Sequence, residues 1–195
     1  MDLTTLGYAM GSAWLSGINL YATILTLGLL QRFGLVTLPG DMGYLSHNWI
    51  LIIAGALFVV QFVADKVPAV DSVWHVIHTF IAVPAGAVLA ATAFAHFDPQ
   101  IRFLALLLGG GIALSSHGAK TATRLAANTS PEPFSNIILS LFGDVVAVIG
   151  ALLMSVHPAV WIAIAAVAVV LSVFFIRWIV RGLRRLFRPA APAMR

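Results

Sequence analysis

The chain is 195 residues long, 61% hydrophobic and only 9% charged, with a mean hydropathy of +1.00. A water-soluble domain carries about 25% charged residues, so this composition excludes a soluble enzyme and requires lipid as the solvent. Eleven Lys+Arg outnumber seven Asp+Glu, but six of the basic residues fall after Phe175, so the excess is a local basic end and no nucleic-acid partner is expected.

A helix crossing roughly 30 Å of hydrocarbon needs about 20 apolar residues. In chain order, the intervals between charges predict six such helices, at 6–31, 47–64, 71–96, 99–127, 133–156 and 159–185. In the first, Ser12, Ser16, Asn19, Thr23 and Thr26 line up as one polar stripe. Such a stripe either glues helices together by hydrogen bonds or lines a wet path. Asn19 is its costliest member to leave unpaired. The connection holding Leu38-Pro39-Gly40-Asp41 is the only long loop. A tight turn carrying Asp65 and Lys66 leads to the third helix, where Asp71, expected as the N-cap, shares a face with His75 and His78.

The fourth helix brings Gly109-Gly110-Gly111, a place for a bend or a close contact, and then His117, Lys120 and Arg124 on one face. Arg124 is expected to snorkel to lipid phosphates, and Lys120 to form a buried pair with Asp144. The turn holding Glu132 opens the fifth helix. There Asn136, Ser140 and Asp144 recur every four residues beside a small-residue stripe of Gly143, Ala147 and Ala151. Asp144 falls about 17 Å into this helix, near the bilayer midplane, where an ionisable group is costly and marks function. His157-Pro158 separates the last two helices, because proline disfavours helix just before it. Arg177, Arg181, Arg184 and Arg188 share a face where the sixth helix ends, expected to anchor it to anionic lipid.

The expected fold is all-α, an integral membrane protein built as a compact bundle of six transmembrane helices. Residues 1–188 form one domain and residues 189–195 a basic, Pro/Ala-rich disordered tail. With both termini on one side, nine of the 11 basic residues share that side, which the retention of basic loops makes cytoplasmic. The run 64–72 echoes 127–135, with Ala, Pro and Ser matched. Hairpins 2–3 and 4–5 would then be a parallel repeat, a device that builds a site between halves. Small residues such as Gly86 and Ala90 are expected on outer faces, suited to a homo-oligomer.

Three runs carry a family resemblance. They are Gly17-Ile18-Asn19-Leu20-Tyr21-Ala22-Thr23, then Ala64-Asp65-Lys66-Val67-Pro68 with Val70-Asp71-Ser72, then Asn128-Thr129-Ser130-Pro131-Glu132-Pro133-Phe134-Ser135-Asn136. Together they resemble a family of small bacterial membrane proteins catalogued as domain of unknown function 4126. The resemblance covers nearly the whole chain up to the basic tail. It implies a bacterial inner-membrane protein and brings no activity with it. The chain departs from the family pattern at His75, where Asp is usual, and near Ala82, where a basic residue is usual. Those departures tell against a site centred on His75.

Several chemistries are absent from the sequence. It holds no cysteine, no phosphate loop, no paired-histidine zinc motif and no serine elbow, so no enzyme activity, cofactor or metal is expected. The leading expectation is a small transporter or channel for an ion or a small polar or anionic solute. Asp144 would be its central group, with Asn19, His78, His117, Lys120, Asp71, Asn136 and Ser140 around it. The turns bearing Asp65, Lys66 and Glu132 would form its inner mouth. The alternative is a non-transporting scaffold, lipid-binding protein or accessory subunit, in which the same groups only lock helices together. An intramembrane enzyme acting on lipid head groups would need Asp71, His75 and His78 as an acid–base set.

Overall fold

Prolines open most of the helices. The computed structural model describes residues 2–66, 68–127 and 133–186, without the side chains of 68, 69, 71–73, 75, 76, 133, 136 and 183–186. Among the described residues there are six α-helices and one 3-10 helix, and no strand. They are α1 Leu3–Arg32, the 3-10 helix Gly40–Ser46, α2 Asn48–Ala64, α3 Pro68–Ala93, α4 Pro99–Ala127, α5 Pro133–Val156 and α6 Pro158–Leu186. Pro68, Pro99, Pro133 and Pro158 each take a first helical position, where the missing N–H has no partner to lose. The expected limits of α4 and α5 hold to the residue.

The third helix differs at both ends. It starts at Pro68, so Asp71 lies inside its first turn instead of capping it. It also stops at Ala93, where the chain turns through short-range bonds from Phe94 N–H to Ala91 and from Ala95 N–H to Thr92. Gly40, with φ +57°, lies directly on the Thr92 and Ala93 carbonyls, where any Cβ would overlap them.

The largest departure is α1, which is not a single rod. Asn19 has φ −150° and ψ 99°, an extended residue inside the helix. The neighbours of each half locate it. Gly7 backs onto the backbone of Pro158, Gly11 onto Met154 and Trp161, and Gly150 onto Leu15. Residues 3–18 therefore run inward beside α5, in the opposite direction to it. Beyond Asn19, Leu25 lies against Gly55, and Gly28 against Leu45 and Leu51. Residues 20–32 therefore run back along α2, against its direction. Leu45 is five residues from Gly40, which rests on the last turn of α3. That turn shares a cavity with Leu6 and Met10 through Phe94. Gly28 has thus returned to the end of the bundle where Gly7 lies. The helix is a buried hairpin of two halves, about 24 and 20 Å long at 1.5 Å per residue, with Asn19 at its tip.

This corrects two expectations. Helix 6–31 does not pass from one end of the bundle to the other, because an asparagine placed as an internal cap reverses the chain. The start of α1 and the end of α6 also lie at opposite ends of the bundle. Leu3 is near the start of α6, and α6 then runs alongside α4 until Ile176 meets Gly118.

Around the hairpin, α3 and α4 form the most extensive interface. Gly109 fits against Ala90, and Gly86 against Ala113 and Ser16. Gly86 and Ala90 are therefore interior, which corrects their expected place on an outer contact face. Of the triple glycine, Gly109 makes the close contact and Gly111 has no neighbour within 4 Å among the described residues. By contrast α4 barely touches α5, which leaves a gap between them.

By length and composition, Leu3–Arg32, Pro99–Ala127, Ile137–Val156 and Pro158–Gly182 are apolar enough to cross a membrane. The 3-10 helix and α2, bent by 69°, make a fifth such unit. The outer faces are correspondingly apolar, with Phe80, Phe142, Val167 and Trp178 all exposed. This is a multi-pass membrane protein. The echoed runs fall partly on Val67 and 128–132, outside the described residues, as do Glu132 and the tail 189–195.

Candidate functional site

The tip of the hairpin is built by one asparagine. Asn19 takes an extended conformation, and its side-chain Oδ1 accepts the Ala22 N–H at 3.0 Å, three residues on. That is the N-cap bond of a helix that starts at Leu20. In an unbroken helix the Ala22 N–H would serve the Ile18 carbonyl. Released from that duty, the Ile18 carbonyl accepts instead from the Lys120 ammonium at 2.9 Å.

The other end of the asparagine amide reaches across to α5. Asn19 Nδ2 donates to Asp144 Oδ1 at 2.7 Å. Asp144 lies 11 residues into α5, roughly 16 Å from its start. Its other oxygen is buried with no hydrogen-bond partner among the described residues. Gly143 beside it leaves room for Ile18, while Ala147 and Ala151 are fully buried. Small residues here let the hairpin approach α5 closely.

A second knot lies beside the first. Asp65, just past the end of α2 and 1% exposed, accepts from Lys120 at 3.5 Å and from Arg124 at 3.2 Å on Oδ2. Its backbone carbonyl also accepts from Arg124 at 3.0 Å. Two expectations are corrected here. Lys120 pairs with Asp65 and not with Asp144, and Arg124 is buried, 2% exposed, with no route to snorkel. The reason is geometric: the end of α2 brings the Asp65 carboxylate within reach of both Lys120 and Arg124. Lys66 lies over the Phe62 ring, 2.8 Å from its centroid, and donates to the Phe62 carbonyl at 2.8 Å. Lost hydration lowers the pKa of Lys66 below the usual lysine value, and the charges of Asp144 and Asp65 oppose that shift.

A third group joins α3 and α4 beside the second half of α1. His78 stacks on Trp74 and contacts the rings of Tyr21 and His117, at 5.3 Å and 6.0 Å between centroids for the last two. His117 Nε2 lies 2.7 Å from the Thr79 hydroxyl. Ser140 is buried, with a hydroxyl that has no partner among the described residues.

The structure thus joins Asn19 to Asp144 and Lys120 to Asp65, with Lys120 also bonded to the Ile18 carbonyl at the tip, and brings together His78 and His117. The side chains of Asp71, His75 and Asn136 lie outside the described residues, so the three-residue face of α3 is not described either. The polar stripe of α1 does not line a continuous path. It is interrupted at Asn19, and the Ser16, Thr23 and Thr26 hydroxyls donate to carbonyls of α1 itself.

Two residues escaped the sequence reading. Gln61 is 1% exposed, and neither its amide nitrogen nor its oxygen has a hydrogen-bond partner among the described residues. The Tyr21 hydroxyl is likewise buried and without such a partner. The signal for Gln61 was available, since it is the single polar side chain between Trp49 and Ala64, one turn before Asp65.

This arrangement lies within a matched family region. The family described as domain of unknown function (DUF4126) matches residues 6–178. The chain belongs to this family. The matched region takes in both halves of the hairpin and every residue of the two knots. No curated protein and no solved structure matches the chain. For this DUF4126 member, chemistry must be argued from the tip itself. It offers an interrupted backbone, the Asp144 carboxylate and the Lys120 ammonium, with the Arg124 guanidinium linked to Lys120 through Asp65.

Proposed function

We propose that this DUF4126 protein is a small transporter or channel of the bacterial inner membrane, without enzymatic activity, for an ion or a small polar or anionic solute. In this reading α2 to α6 cross the bilayer, and the α1 hairpin enters from the outer side and returns to it. Lys66, Lys120, Arg124 and the arginines of α6 then share the cytoplasmic end, leaving Arg32 and Arg102 outside, in keeping with the retention of basic residues inside. The carrying observation is the tip, where a broken helix meets Asp144 and Lys120 inside the bundle.

Physical cost supports the reading. Broken helices at membrane depth are tolerated where protein or a cavity satisfies the freed backbone. In transporters such breaks supply half-helix ends and free carbonyls to substrate and ions. Intramembrane charges carry a large penalty and mark pathways. The competing reading, a scaffold or lipid-binding subunit, draws on the Lys120 bond to Ile18, which locks the tip in place.

Ion and proton flux into liposomes, measured for the wild type and Asp144→Asn, separates the two. Asparagine keeps an oxygen to accept from Asn19 Nδ2, so the tip is expected to survive the exchange. Flux in the wild type that disappears in a monodisperse Asp144→Asn protein supports transport. Equal flux in both, or none across a broad ion panel, overturns a pathway through Asp144. The chain has no cysteine, so orientation is testable with single thiols. Thr4→Cys and Asp98→Cys are expected to react with an impermeant reagent from the same side of intact cells, and Lys66→Cys from the other.

A further inference from the structure

The side of α2 that packs on the hairpin is apolar until Gln61. Leu51, Ala54, Gln61 and Asp65 are all buried, and their spacing puts them on one side of the helix. Leu51 lies against Gly28, so this side faces the second half of α1. The two helices run in opposite directions, with Gly55 against Leu25. Six residues on along α2 and six back along α1, at equal rise per residue, Gln61 comes level with Asn19. Asp65 follows one turn later and meets Lys120, itself bonded to the Ile18 carbonyl. Gln61 therefore reaches the hairpin tip from the α2 side, whereas Asp144 reaches it from α5.

Gln61 is 1% exposed, and neither Nε2 nor Oε1 has a hydrogen-bond partner among the described residues. Asp65 is satisfied on one oxygen only. Its Oδ2 accepts from both Lys120 and Arg124, while its Oδ1 is buried without a partner among the described residues. Consecutive turns of one helix face thus present an amide donor, an amide acceptor and a carboxylate acceptor. A buried amide left unpaired costs more than the leucine or methionine that would fill the same space. Buried polar groups are matched as a rule, by a bound molecule where the chain itself does not match them. Charge narrows the class of that molecule. A cation there would meet Lys120 and Arg124, and an anion would meet the Asp65 carboxylate.

We infer that Gln61 and Asp65 hold a small neutral hydrogen-bonding molecule at the hairpin tip. It accepts from Gln61 Nε2 and donates to Gln61 Oε1 or Asp65 Oδ1. Water has this chemistry, and so does a small hydroxylated solute. The inference goes beyond the transport reading, since it concerns what α2 binds and holds whether or not anything moves past Asp144.

The test exchanges Gln61 for leucine, which keeps its approximate volume and removes its polar atoms. If the amide holds a molecule, Gln61→Leu removes that molecule's main partner, and the unfolding temperature in detergent is expected to fall by about 4 °C. A merely unpaired amide gives the opposite sign, so an unfolding temperature equal to or above that of the wild type overturns the inference. Glycerol separates the two sources. A saturable rise in the unfolding temperature of the wild type, absent from Gln61→Leu, assigns the site to a solute; the same fall in Gln61→Leu without any saturable glycerol effect assigns it to water. A second readout needs no change at Gln61. The chain has three glutamines, so the Gln61 amide signal of nitrogen-labelled protein in liposomes is assignable by elimination with Gln31→Asn and Gln100→Asn. Magnetisation is expected to pass to that buried amide from a water or glycerol proton. No transfer from any non-protein proton overturns the inference, whatever leucine does to stability. None of these readouts depends on flux, so the transport reading stands or falls separately.

Discussion

The first and last helices have similar lengths and opposite surroundings. The first is the less hydrophobic of the two and most of its apolar stretch is buried; the sixth is the more hydrophobic and most of it is exposed. The more hydrophobic helix is the more exposed one. Lipid is as apolar as leucine, so hydrophobicity gives no reason to leave it, and association depends on close packing and hydrogen bonds. The first helix has the means for both. Gly7, Gly11, Gly17 and Gly28 each sit where a Cβ would collide with a neighbour, and Ser12, Ser16, Asn19 and Thr23 are buried among them. The sixth presents Val167, Leu171, Phe174 and Trp178 outward.

If the interior is set by polar and small-residue contacts, their removal should cost far more than any change on α6. The largest loss is expected from Asp65→Asn. It removes the carboxylate shared by two buried cations, a change that costs about 3–5 kcal/mol. Thermal unfolding in detergent measures it, and a loss below about 1 kcal/mol would reclassify the knot as a solvated pair.

Gly17→Leu comes next. A side chain there meets the Ser116 hydroxyl, the Ala113 carbonyl and the His117 backbone, two of them backbone atoms that cannot step aside. Overpacking of this kind costs about 3 kcal/mol, read as lower yield and a lower unfolding temperature. Asn19→Ala removes both the cap of the second half and the donor to Asp144, a loss of about 2 kcal/mol from the cap and the orphaned acceptor. Asn19→Asp keeps the capping oxygen but loses the donor. A stability for it equal to the wild type would assign the whole role of Asn19 to its cap.

These contacts also explain what was legible beforehand. Helix limits such as 99–127 and 133–156 are local, marked by proline, and were readable residue by residue. Asp144 and Asn19 stood out because polar groups are rare in apolar runs. The reversal at Asn19 was not readable. A stripe of Ser, Asn and Thr fits a straight helix equally well, and the turn exists because Asp144, Lys120 and Ile18 meet through the tertiary fold. Arg124 was misjudged for the same reason, since nothing in the sequence of α4 announces that the end of α2 will deliver Asp65 to it. Gly86 was assigned outward although the helix it packs on, α1, is 70 residues away in the chain.

The smallest effect makes the sharpest control. Gly182 in α6 has nothing among the described residues within 4 Å of where a Cβ would stand, and its φ is not among the positive values found at Gly34 and Gly40. Gly182→Leu therefore meets no obstacle and replaces a poor helix former with a good one. A gain of about 0.5 kcal/mol is expected, opposite in sign to the same exchange at Gly17. Unfolding of the two variants side by side measures the contrast directly. A loss at Gly182 comparable to that at Gly17 would mean that a partner covers this face of α6, and the division between a packed first helix and a lipid-facing last one would fail there.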